Sequence, residues 1–137
     1  MVCAENLKNL ICENFEIFSD SDVLIGSIDL TRYEKNNLCV IIPEKSEIIE
    51  TYIDGSFKAE TRFTISMMFR GKKHSECVST MEETAVNIQR LLISEFSLGN
   101  TVSEVIPGEI KYFYDCGTVE RQASGLDIEL TIREEIK

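Results

Sequence analysis

The sequence has little with which to do chemistry. It holds one histidine, His74, and no GxSxG, GxGxxG, HExxH or Walker-type phosphate loop. Gly71-Lys72-Lys73 lacks the upstream glycine and the following hydroxyl that a phosphate loop needs. The five cysteines, Cys3, Cys12, Cys39, Cys77 and Cys116, are scattered, odd in number and never spaced CxxC. That pattern fits thiols in a reducing compartment better than a disulfide framework or a zinc site. No apolar run approaches the roughly 18 residues that span a bilayer, so no membrane is expected. The N-terminus lacks a basic region followed by an apolar stretch, so no secretory signal is expected and the chain reads as cytoplasmic when made. Positive charge is scarce too: 14 basic residues face 24 acidic ones, a formal net charge of −10. A protein that binds nucleic acid by neutralising phosphates has the opposite balance.

What is present is a packable chain. It has 137 residues, 43% hydrophobic and 28% charged, which predicts one globular domain over 1–137. Its clearest stretch is Phe57–Arg70. Phe57, Ala59, Phe63, Ile65, Met67 and Phe69 alternate with Lys58, Glu60, Arg62, Thr64, Ser66 and Arg70, with Thr61 and Met68 as the exceptions. This is the period of a long strand with one buried face. Asp54-Gly55 just ahead signals a tight hairpin, closing a strand over Glu47–Ile53. Leu38–Ile42 reads as a short buried strand, which Pro43 ends or places at an edge. Pro43–Ser46 then reads as a connection.

Leu7, Leu10, Ile11, Phe15 and Phe18 predict an amphipathic helix over about Ala4–Phe18, stopped by Ser19–Asp22. Val23–Ile25 is left open as a short strand or a buried loop. Cys77, Met81, Ala85, Ile88, Leu92 and Phe96 form the stripe of a helix over about Ser75–Leu98, with Ser75 or Ser79 as its cap and Gly99-Asn100 as its stop. Thr101–Gly108 is expected to be a loop anchored by Val102, Val105 and Ile106. Glu109–Asp115 is expected to be a strand, and Cys116–Thr118 a turn or bulge. Leu126, Ile128, Leu130 and Ile132 alternate with polar residues in a closing strand. The expected class is α+β: a mostly antiparallel, twisted sheet of about four to five strands, packed by an N-terminal helix and one long central helix.

Candidate reactive groups each have a plainer reading. His74 fits a solvated residue before the helix better than a base. Cys77 begins the apolar stripe, so it is expected in the core. Glu44, Glu47 and Glu50, and Glu129, Glu134 and Glu135, lack calcium-loop spacing and read as solvated faces. Thr61, Arg62, Thr64 and Arg70 give the long strand a mixed polar face, either a subunit contact or wet. Arg62, Thr64 and Arg70, with Asp54, Gly55 and Ser56 of the turn, are the candidate interaction residues. No catalytic residue, metal or cofactor is expected.

The segment CVIIPEKSEIIETYIDGSFKAETRFTISMMFR, with the helix after it and the closing Leu126–Arg133 strand, resembles small tail proteins of Gram-positive bacteriophages and prophages. These are tail terminator (head–tail joining, minor capsid-like) proteins. The resemblance covers roughly residues 38–134. It implies a structural, non-enzymatic subunit that assembles as a hexameric ring, caps the tail tube and joins it to a neck or head connector, possible neighbours including a sheath. It implies assembly in the host cytoplasm, then residence in the virion tail or a tail-like particle. Six copies would carry 6 × −10 = −60, an acidic lumen that DNA could pass without binding. Pro43–Ser46, Asp54–Ser56 and Thr101–Gly108 are the candidate tube-contacting loops. A small soluble ligand- or peptide-binding α+β module is the alternative.

Overall fold

A computed structural model describes residues 3–26, 37–71, 73–94, 104–114 and 122–137. The elements are α1 (Cys3–Asn14), β1 (Val23–Ile25), β2 (Asn37–Thr51), β3 (Phe57–Gly71), α2 (His74–Ser94), β4 (Glu104–Phe113) and β5 (Gln122–Ile136), with a 3-10 turn at Asp20–Asp22. The five strands form one open sheet in the order β1-β2-β3-β5-β4. β1 pairs with β2 in parallel, and every other pairing is antiparallel. The class is therefore α+β, as the alternation of β3 and β5 implies.

The periodicity of the sequence sets the packing. Phe63, Ile65, Met67 and Phe69 of β3 lie opposite Leu130, Ile128, Leu126 and Ser124 of β5. All of these but Ser124, with Cys39 and Ile41 of β2, join the core formed with α1 and α2. α1 lies against β1 and β2, and α2 against β3, β5 and β4, so both helices cover one face of the sheet. α2 contributes Met81, Ala85, Ile88 and Leu92, and Cys77 is buried, as the stripe predicts; Phe96 lies outside the described residues.

Several boundaries differ from the sequence reading. α1 stops at Asn14, whose side-chain amide donates to the Leu10 carbonyl at 2.8 Å and so satisfies a helix-end acceptor. Phe15 and Phe18 follow the helix yet stay in the core, where the Phe18 ring meets Phe69 at 6.1 Å between centroids. Val23–Ile25 is a strand. Asn36-Asn37 is a turn signal in the sequence, but Asn37 is the first residue of β2; Asn36 lies outside the described residues.

Pro43 does not end a strand, and Pro43–Ser46 is not a connection. β2 runs through both, because among the described residues Pro43 sits where β2 has no outer neighbour; β1 reaches only Ile41. Register shifts between Pro43 and Lys45 and between Ile48 and Glu50 absorb the break in alternation. α2 begins at His74, so Ser75 and Ser79 lie within it and neither is its cap. The expected loop at Thr101–Gly108 is strand from Glu104 onward, with Pro107 on the sheet's outer strand and a register shift before Ile110. Val102, Gly99-Asn100, Asp115 and Cys116–Thr118 lie outside the described residues.

Candidate assembly surfaces

β2 and β3 are 15 residues each and pair along nearly their whole length, but the helices cover only part of that ladder. From Leu38 to Ile41 β2 is buried; from Pro43 to Thr51 every residue is exposed. The outer half of the hairpin is thus an arm exposed on its β2 side; on its β3 side Ala59 and Thr61 are buried, and β5 pairs with β3 as far as Phe57. Ser46 and Thr61 pair across it through their hydroxyls at 2.9 Å, which accommodates a fully buried threonine on the helix-side face. Thr61 therefore does not belong to the polar face with Arg62.

The tip is a three-residue loop. Tyr52 N–H donates to the Ser56 carbonyl at 3.0 Å, and Gly55 N–H donates to the Tyr52 carbonyl at 3.1 Å. Gly55 follows that turn with φ +88°, the left-handed conformation that this loop length requires. The Asp54 carboxylate accepts from both the Ser56 N–H, at 2.9 Å, and the Ser56 hydroxyl. Hydrogen bonding from the Ser56 hydroxyl, then from its N–H, holds the Asp54 carboxyl below its ordinary range. Three of the sequence-nominated residues thus build one turn, Ser56 being buried within it. Around them the arm displays apolar side chains: Ile48 is 60% exposed and Ile53 fully so, with Ile49 and Tyr52 beside them.

The other nominated residues lie on the sheet face away from the helices. Arg62 is exposed there, and Thr64 and Arg70 are half-buried. From Ser56 to Arg62 is about 20 Å along the strand, and from Arg62 to Arg70 about 26 Å, so they form no single cluster. Their face is a cross-strand charge pattern. Arg133 of β5 donates to Glu60 of β3 at 2.9 Å and to Glu104 of β4 at 3.2 Å, tying three strands. The Glu60 hydrogen bond is the chief cause of a raised Arg133 pKa. Ser66 donates to Asp127 at 2.6 Å. Lys45 lies opposite Arg62, like charges facing on adjacent strands.

The sequence reading did not nominate the end of β4. Tyr112 and Tyr114 stack there at 6.5 Å between centroids, and they are 43% and 50% exposed. Lys111, one residue before them, is exposed on the opposite face of the sheet, across from Asp127. Exposure of an aromatic pair has no signature in a strand already rich in apolar residues, so sequence alone could not single it out.

Among the described residues, no three histidine, cysteine or acidic side chains converge as a metal site. Glu44, Glu47 and Glu50 are exposed, as expected. Glu134 is not solvated: it sits on the helix-side face opposite Ala59, 4% exposed. Cys39 is fully buried, and burial pushes its thiol far above the ordinary range. His74 is exposed at the start of α2. No helix among the described residues is long and apolar enough to cross a membrane. No protein-family model matches the chain, and no curated protein matches it in sequence.

Proposed function

We propose that this protein is a structural subunit of a phage tail or tail-like particle, a tail terminator whose copies form a ring on the end of the tail tube. The exposed β2–β3 arm is the observation that carries this reading. Fully burying an isoleucine stabilises by about 1.5–3 kcal/mol, so the tip leaves that much unrealised at Ile53, and a smaller share at the part-covered Ile48, until a partner covers it. The arm's exposed isoleucines lie along β2, with β3 and β5 paired behind it, a form that suits a docking edge better than a pocket wall. The resemblance of residues 38–134 to tail terminators gives the partners their identity: other copies in a ring, taken as a hexamer, then the tube and the neck or head connector. The acid excess fits a lumen that must not retain DNA.

The test uses the purified full chain. Sedimentation and negative-stain microscopy should find rings, either alone or seated on the ends of tubes assembled from a tail-tube protein encoded beside it. A chain that stays monomeric and leaves tube ends bare would overturn the reading.

A further inference from the structure

We infer that Asp54-Gly55 is a backbone-isomerisation site that the folded turn holds closed, with Ser56 as the residue that pins it.

The reaction needs only these two residues and water. The Gly55 nitrogen attacks Cγ of the Asp54 carboxyl group, and a C–N bond forms. The amide proton and the carboxyl hydroxyl leave as one water, giving a five-membered succinimide. Water then opens that ring at either carbonyl. One opening restores aspartate; the other leaves isoaspartate, with the chain running through Cβ and Cγ. The net change is an isomerisation, with no oxidant or reductant. Glycine hinders the attack less than any other following residue, because it has no Cβ. Both residues are exposed at the tip, and nothing lies within 4 Å of where a Gly55 Cβ would be. Access is therefore open, and the bonding within the turn is what stands against reaction.

That bonding opposes both partners of the attack. The electrophile is the neutral carboxyl group, since the carboxylate has no hydroxyl to lose. Ser56 donates its N–H, at 2.9 Å, and its hydroxyl to the same Asp54 oxygen, Oδ1. Both bonds favour the charged form, and both must break before the carboxyl group can swing over the Gly55 nitrogen. The nucleophile is held as well. Attack requires the nitrogen to give up its proton, and the Gly55 N–H is engaged with the Tyr52 carbonyl at 3.1 Å, which favours the protonated amide. Ser56 is itself fixed: it is buried, and its carbonyl accepts from the Tyr52 N–H at 3.0 Å. Isoaspartate would add one atom to the backbone of this short loop and spoil the spacing on which the Tyr52–Ser56 pair depends.

The experiment incubates the full chain for days at neutral pH in three samples: folded wild type, wild type unfolded in guanidinium chloride, and folded Ser56→Ala. Tryptic digestion then releases Ser46–Lys58, the peptide that carries Asp54. Its isoaspartyl form has the same mass, separates by chromatography and accepts a methyl group from an isoaspartyl methyltransferase. Isoaspartate should accumulate in the unfolded chain and at least about tenfold more slowly in folded wild type. Ser56→Ala, shown to be folded by its urea transition, should convert about threefold or more faster than wild type. No isoaspartate at Asp54 in the unfolded chain, or equal rates in folded and unfolded wild type, overturns the inference. A folded Ser56→Ala that converts no faster than wild type overturns the role of Ser56. Should that variant not fold, the wild-type comparison decides alone.

Discussion

The hairpin turn concentrates its demands on two residues. Gly55 sits at φ +88° with nothing within 4 Å of where a Cβ would lie, so a substitution there meets backbone strain and no clash. Gly55→Val should destabilise by about 1–3 kcal/mol, since β-branched residues resist this region, and Gly55→Asn should cost clearly less. Urea unfolding of the two variants checks this, and equal midpoints would contradict it. Asp54 gives the turn a pH dependence. Its folded pKa is lowered by the Ser56 hydrogen bonds. Its contribution is therefore complete above the unfolded aspartate value of about 3.9 and is lost as pH falls through the folded value. The stability gap between wild type and Asp54→Asn should be constant near neutrality and close in acid. A gap as wide at low pH as at neutral pH would rule out the carboxylate as its source. The thiols give a third residue-scale expectation: Cys39 and Cys77, both buried, should react with a thiol reagent only once urea unfolds the chain.

The elements split into a part that folds the molecule and a part that faces outward. Phe63 is fully buried at the centre of β3, and truncating it should cost about 3–5 kcal/mol. Ile48 belongs to the same hairpin but is 60% exposed, so Ile48→Ala should stay within about 0.5 kcal/mol in the isolated chain. Denaturant midpoints of the pair test whether the arm is a passenger of the fold. A large loss at Ile48 would mean that the arm is folded back against the core. The same division explains what the sequence revealed. β3 and β5 pair with one another without a register shift and α2 keeps its stripe, so despite Thr61, Met68 and Glu134 their faces could be read directly. β2 and β4 carry their prolines and register shifts where, among the described residues, no neighbour pairs outside them. The break in alternation at Pro43 therefore fitted a strand end as well as the edge position it occupies, and the one at Pro107 looked like a loop, although both ladders continue. Candidate interaction residues were legible only in part. Asp54 and Gly55 announced the tip, but Arg62 and Arg70 share only a face, and the tyrosine pair gave no local signal.

For the whole molecule, charge and shape act against one another. Each copy carries −10 formally, so like molecules repel at neutral pH, and the repulsion reaches furthest at low ionic strength. The Debye length falls from about 30 Å at 0.01 M salt to about 8 Å at 0.15 M. An apolar contact made through the exposed isoleucines would not be screened in this way. Self-association should therefore strengthen as salt rises through this range, and again as pH falls toward the sequence pI of about 4.6. Contacts held chiefly by ion pairs would behave oppositely and loosen with salt. Sedimentation of wild type across a salt series distinguishes the two: tighter association with added salt is the result expected of apolar docking between acidic copies. Weakening would show that charge pairs, not the exposed isoleucines, hold the assembly together.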